Sequence, residues 1–87
     1  MDKSKIDEIV TDVFRTVFRQ PGLELRDDMT SADVVGWDSL KHVSLIIHLE
    51  QELGIKFRGD EVVGLMDVGQ LRSLVYEKLA RQPVRQA

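Results

Sequence analysis

The sequence predicts an all-α fold, a four-helix bundle of three longer helices and one short third helix, on three observations. Apolar residues recur at steps of three and four in three separate stretches, the period of a helix packed on one face. No segment alternates long enough to make a convincing strand. The 87 residues include no cysteine, so a thin core must hold without disulfides, which favours helices with local contacts. The chain has room for one domain, 1–87. Its ordered core is expected over about residues 4–80, with a flexible tail over 81–87, where Pro83 and polar residues follow the last stripe.

The first helix is expected over 5–19. Ile6, Ile9, Val10, Val13, Phe14, Val17 and Phe18 make its stripe. Ser4 is the expected N-cap, Asp7 and Glu8 stand early, and Arg15 and Arg19 stand late, an order that complements the helix dipole. Gln20-Pro21-Gly22 is the expected stop. Residues 20–37 then form a long connection, and loops beyond about 12–15 residues are often functional. Leu23, Leu25, Met29, Val34 and Val35 are its expected anchors, and Thr30 or Ser31 is expected to start one helical turn near Asp33.

The second helix is expected over 39–53. Leu40, Val43, Leu45, Ile46, Ile47, Leu49 and Leu53 form a wider stripe, as for a helix packed on more than one side. Gly54 suits the left-handed residue that ends helices. Ile55-Lys56-Phe57 alternates but is too short for a strand. Asp60 is expected to cap a short turn through Val62, Val63 and Leu65. Asp67 opens the last helix, with Gln70 completing a capping-box pattern and Val68, Leu71, Leu74, Val75 and Leu79 as the stripe.

Composition excludes several function classes. Fifteen carboxylates against twelve Lys and Arg give a net charge of −3, which argues against a nucleic-acid binder. Five of those carboxylates, Glu24, Asp27, Asp28, Asp33 and Asp38, crowd residues 24–38 beside Arg26 alone; a solvated loop explains such a stretch. No apolar run reaches the roughly 18 residues of a membrane span, and the charged N-terminus is not a signal region, so a cytoplasmic protein is expected. Residues 27–38 have the acidic density of a calcium loop but lack its sixth-position glycine. His42 and His48 lie about 240° apart around a helix, which does not suit a zinc site. Ser39 with His42, and Ser44 with His48, share helix faces, but a serine hydrolase also needs an orienting acid and an oxyanion hole.

Gly36-Trp37-Asp38-Ser39-Leu40 places a serine at the start of a strongly apolar helix. Asp38 or Ser39 serves there as an N-cap on the simplest reading. On the other reading Ser39 carries a phosphate ester, which the unpaired N–H groups and positive end of a helix stabilise. Gly36 would let the backbone turn tightly beside it.

That segment, followed by Val43, Leu45, Leu49-Glu50 and Glu52-Leu53-Gly54-Ile55, resembles the acyl carrier proteins over nearly the whole chain. The resemblance implies a phosphopantetheine-dependent carrier without catalytic activity of its own. Ser39 would hold 4′-phosphopantetheine, transferred from coenzyme A by a phosphopantetheinyl transferase, and acyl groups would ride as thioesters on its thiol. Asp38 would serve the transferase chemistry or position the serine, and Leu40 would offer partners an apolar contact. Trp37 either covers the helix start, touches the arm or simply packs. Acyl-loading and acyl-transfer enzymes would dock on the loop before and the helix after Ser39, in a lipid or secondary-metabolite pathway such as fatty acid biosynthesis, and the carrier would act as a freestanding monomer.

Departures from the family pattern bear on the pathway. Lys41, His42 and Ser44 stand where acids are common, which points to a specialised carrier rather than a housekeeping one. Ile46, Ile47, Leu53, Ile55, Phe57, Val62, Leu65 and Met66 are candidates to line an internal acyl cavity, with a closed core and external cargo as the equal alternative. An aminoacyl or peptidyl carrier loaded by an adenylating enzyme is the second reading within the family. An unmodified helical interaction domain is the reading from a different class.

Overall fold

The computed structural model describes residues 2–81, in which α1 (Lys3–Val17), α2 (Ser39–Leu53), α3 (Gly59–Gly64) and α4 (Val68–Arg81) follow one another. The all-α expectation holds. Met1 and residues 82–87, most of the segment expected as tail, lie outside the described residues; Arg81 is the last residue of α4 and pairs with Glu77 at 3.0 Å.

Helix α1 starts two residues earlier than its stripe suggests. Asp2, not Ser4, is the N-cap, and its Oδ1 accepts from Lys5 N at 2.9 Å. Asp caps as well as Ser does, so the earlier acid wins and adds helix. Asp7 and Glu8 therefore fall beyond the first turn. The far end closes before Pro21 acts. Phe18 N donates to Phe14 O, Gln20 N donates to Arg15 O, and Arg19 between them is left-handed at φ 56°. This is the hydrogen-bond pattern that ends helices at a left-handed residue, here without the usual glycine.

The core is built from Ile6, Val10, Val13, Phe14 and Val17 of α1, Leu45, Ile46, Leu49 and Leu53 of α2, and Val68, Leu71 and Val75 of α4. The broad apolar set of α2 is two stripes rather than one wide buried face. Leu40, Val43 and Ile47 stay at the surface, Leu40 80% exposed. Gly54 ends α2 in the left-handed conformation, φ 68°, as expected. No strand forms at 55–57; Ile55 is buried, and Phe57 N donates to Glu50 Oε2 at 2.9 Å.

Helix α3 begins after Arg58 rather than at Asp60. Glu61 Oε1 accepts from Arg58 N at 2.8 Å, while Asp60 pairs with the Arg58 guanidinium. Helix α4 uses Asp67 as expected: its Oδ1 accepts from Gln70 N at 2.8 Å. The Gln70 side chain reaches one residue further back than the box predicts and accepts from Met66 N at 2.7 Å.

The long connection is pinned along its length. Met29, Val34 and Trp37 are buried, and Leu23 and Leu25 partly so, but Val35 points outward, since its neighbour Val34 takes the inward site. The expected helical turn is a single hydrogen-bonded turn: Asp33 N donates to Thr30 O, and Thr30 N donates to Asp33 Oδ2, both at 2.9 Å. Val68 N and Gly69 N, unpaired donors of the first turn of α4, bond Met29 O and Asp27 O, each at 2.9 Å. Arg72 Nη1 adds a 2.8 Å bond to the Asp27 carboxylate. Tyr76 donates to Asp7, which ties α4 to α1; burial, and then that bond, push the Tyr76 hydroxyl up to about 12.

This packing can be tested at two residues. A Cβ at Gly69 would lie 3.0 Å from both Asp27 Cβ and Asp27 O, and the Gly69 N–H bond holds that carbonyl in place. Gly69→Ala should therefore lose about 1 kcal/mol in urea unfolding, the low end of overpacking costs, whereas Gly22→Ala should stay within about 0.5 kcal/mol. Tyr76 is protonated more strongly in the folded chain than at its ordinary value of 10.0. Its contribution should be complete below about pH 10 and decline as the pH rises toward 12, and Tyr76→Phe should flatten that alkaline loss in a denaturation series.

Candidate functional site

The start of α2 is set by the turn before it. Trp37 N donates to Val34 O at 3.1 Å and Asp38 N to Gly36 O at 3.0 Å, with Gly36 left-handed at φ 91°. A Cβ at Gly36 would meet only Phe18 Cδ1 at 3.9 Å, so glycine is required there by conformation and not by space. Trp37, the residue whose role the sequence left open, is buried. It packs edge-on against Phe14 and tilted against Phe18, with centroids 5.5 and 5.9 Å away. It is therefore a packing residue that joins the loop to α1, and its indole also borders a groove beside Ser39.

The cap belongs to Asp38. Its Oδ1 accepts from Lys41 N at 2.9 Å, and its carbonyl accepts from His42 N at 2.8 Å. Ser39 is the first helical residue and lies exposed at the surface. It is spared the capping task and stands beside the first N–H groups of α2, which have no intrahelical acceptor. Leu40 projects next to it.

The groove, of about 540 Å³, opens between the start of α2 and α3. Trp37, His42, Val62, Leu65 and Met66 line it, with Ser31 and Asp38 contributing polar groups. Of the residues expected to line an internal cavity, Val62, Leu65 and Met66 reach this groove, whereas Ile46, Leu53 and Ile55 are packed in the core and Ile47 is on the surface. The groove thus brings three of the eight together, and Phe57 is half-buried against the core.

Sequence reasoning missed His42 as a structural centre. Its Nδ1 lies 3.0 Å from Trp37 Nε1 and its Nε2 3.0 Å from Val62 O. Both ring nitrogens are thus occupied, and the ring is no base for Ser39. Nor does His48 face a serine hydroxyl: its Nδ1 lies 3.1 Å from the Ser44 backbone oxygen. The acidic stretch does not converge either. Asp27 pairs with Arg72, Asp28 with Arg26, Asp33 with Thr30 and Asp38 with Lys41 N. Lys41 turns its ammonium toward Val17 O, at 3.5 Å, near the negative end of α1.

Comparison with known proteins agrees with this geometry. A family model described as the phosphopantetheine attachment site matches residues 8–75. The acyl carrier protein of Saccharopolyspora erythraea is 27% identical over 81 residues, covering 93% of this chain and 85% of its own. The solution structure of the holo acyl carrier protein from Geobacter metallireducens superimposes with a TM-score of 0.80 at 40% identity, covering 86% of each chain. A putative acyl carrier protein from Mycobacterium tuberculosis, 24% identical, shares the fold with a TM-score of 0.70 over 85% of this chain and 93% of its own.

With the cap assigned to Asp38, Asp38→Ala should cost about 1 kcal/mol of stability, and Ser39→Ala should stay within about 0.5 kcal/mol, both read from thermal or urea unfolding.

Proposed function

The chain belongs to the acyl carrier proteins of the phosphopantetheine attachment family, and from that premise we propose that Ser39 is the residue that holds the arm. The family makes it a carrier, modified by a phosphopantetheinyl transferase, and not an enzyme. The observation that carries the assignment to Ser39 is its placement. It is an exposed serine at the first position of α2, relieved of the capping role by Asp38, beside a groove lined by Val62, Leu65 and Met66. The residues fit the group: unpaired helix N–H groups favour a phosphodiester on Ser39, and the groove offers apolar walls to the pantetheine chain beyond the phosphate. When attached, 4′-phosphopantetheine supplies the thiol that a cysteine-free chain lacks, and cargo is held on it as a thioester.

The chain's own residues do the rest. Asp38 fixes the helix start and so the backbone position of Ser39. Leu40, Val43 and Ile47 recur along the exposed side of α2 and give partner enzymes an apolar surface. Loading and transfer enzymes docking on this side and on the loop before Ser39 would receive a tethered acyl group at high effective concentration. We place the carrier in the cytoplasm as a monomer, serving a dedicated lipid or secondary-metabolite pathway rather than housekeeping fatty acid biosynthesis. The scarcity of acids on α2 from Ser39 to His48 supports that choice.

Intact mass before and after incubation with coenzyme A and a broad-specificity phosphopantetheinyl transferase tests the site. A gain of one phosphopantetheine is expected, absent in Ser39→Ala; a gain that persists in Ser39→Ala would sink the assignment. Leu40→Ala should lower the kcat/KM of a partner enzyme about thirtyfold without loss of helix content, the ~2 kcal/mol of an interface hot spot. Loading by fatty-acid adenylating but not amino-acid adenylating enzymes separates acyl from aminoacyl cargo. Elongation by a housekeeping synthase at the rate of that synthase's own carrier would refute specialisation.

A further inference from the structure

His42 stands three residues after Ser39 and joins two elements that border the groove. An indole N–H only donates, so Trp37 Nε1–H, 3.0 Å from His42 Nδ1, requires that nitrogen to accept and to carry no proton. A carbonyl only accepts, so Nε2, 3.0 Å from Val62 O, carries the ring's proton. The Trp37 and His42 rings lie within 18° of parallel with centroids 6.0 Å apart, an arrangement compatible with an edge-to-edge N–H···N contact. Two independent contacts therefore select one tautomer.

Helix α3 has no buried residue of its own. Its hold on the bundle rests on half-buried Val62 and Leu65, on the Glu61–Lys78 pair at 2.8 Å, and on the His42–Val62 bond from α2. We infer that His42, as a neutral Nε2–H imidazole, is the clasp that ties the loop before Ser39 to α3 and fixes the shape of the groove between them. Protonation undoes half of that clasp. A doubly protonated ring has no acceptor, and Trp37, held in place by Phe14 and Phe18, then points its N–H at another N–H.

The charged groups around the ring have their own partners. Asp38 of the loop caps α2, Lys41 of α2 reaches Val17 O of α1, and Glu61, next to Val62 on α3, takes Arg58 N and Lys78 of α4. His42 is thus a positioning residue, acting on the Ser39 groove through Trp37 and α3. Its effect on the arm rests on the proposed role of Ser39, whereas the clasp itself does not.

The clasp is tested on the unmodified chain. Nitrogen-15 spectra of the His side chains at about pH 8 should show His42 as the Nε2–H tautomer. Trp37 is the single tryptophan, so its indole N–H signal and its fluorescence report this site alone. At the same pH, Trp37 emission and the rate of indole N–H exchange should match between the wild type and His48→Gln, since His48 bonds Ser44 O and not the indole. In His42→Gln, at that same pH, the exchange should be about tenfold faster and the emission shifted. An Nδ1–H tautomer in the wild type, or an indole exchange rate and emission unchanged in His42→Gln, would overturn the clasp. Should His42→Gln lose its helix signal, His42→Phe replaces it, and the wild-type tautomer decides regardless. A second arm uses chain modified with phosphopantetheine. Modification should shift the Val62 and Leu65 signals at least twofold more in the wild type than in His42→Gln; equal shifts would overturn the control of groove shape. Failure of modification would count against Ser39 as attachment point and leave the first arm standing.

Discussion

Trp37 packs against Phe14 and Phe18 at the end of α1, and through Asp38 it leads directly into the first turn of α2, so the aromatic contact fixes where that helix begins. Aromatic pairs of this geometry contribute roughly 0.5–1.5 kcal/mol beyond the area they bury. In a chain this small that is a meaningful fraction of total stability. The indole is also the point at which packing passes into polar structure. Its apolar faces belong to the core, and its N–H leaves the core to meet His42. Ser39 is presented at a defined place because the residue two before it is anchored and the residue directly before it caps the helix. On the proposed role of Ser39, a serine that is modified must be both accessible and held, and those tasks are divided among Trp37, Asp38 and Ser39.

The long loop would otherwise be the weakest part of this design. Its entropy of closure is offset by giving it work that α4 would have left undone. Val68 N–H and Gly69 N–H need acceptors, and Met29 and Asp27 supply their carbonyls. Asp27 then serves twice, its carboxylate meeting Arg72 one turn on. Gly69 permits this, since the loop backbone passes where a side chain would stand. The loop therefore behaves as a fifth structural element rather than as a tether. By contrast α3 makes few demands on the core, and the groove beside Ser39 lies along this less deeply packed element.

Much of this was legible in the sequence, and the failures share a physical cause. The periodic stretches placed α1, α2 and α4, and the chemistry of Gly54 and Asp67 placed two helix ends, because those signals are local. Ser4 lost the cap to Asp2 because two good capping residues stood two apart and the sequence does not say which one the tertiary fold selects. Val43 and Ile47 looked like core because an exposed apolar stripe has the same period as a buried one; only the position of α1 and α4 tells them apart, whereas Leu40 was already expected to offer partners an apolar contact. The assignment of Asp38 over Ser39 as the cap was likewise undecidable, both being suitable types. His42 was the larger omission. A histidine in a helix gives no sign that a tryptophan five residues earlier and a carbonyl twenty residues later will occupy its two nitrogens.

The same geometry changes the meaning of Lys41. By sequence it is the one formal charge from Ser39 to His48, and it would put a positive group in the middle of the docking side. In the fold its ammonium reaches the last carbonyl of α1 instead, where the helix dipole favours it. The exposed stripe of α2 is then apolar from Leu40 to Ile47, flanked by acids of the loop that are themselves engaged in turns and ion pairs. Long-range attraction still arises from the net charge of −3, which raises the rate of encounter with basic partners. Charge that lies beside the contact and not within it does little to choose among such partners. On the proposed reading, the choice falls to the shape of the apolar stripe, and a partner enzyme must match Leu40, Val43 and Ile47 by surface fit.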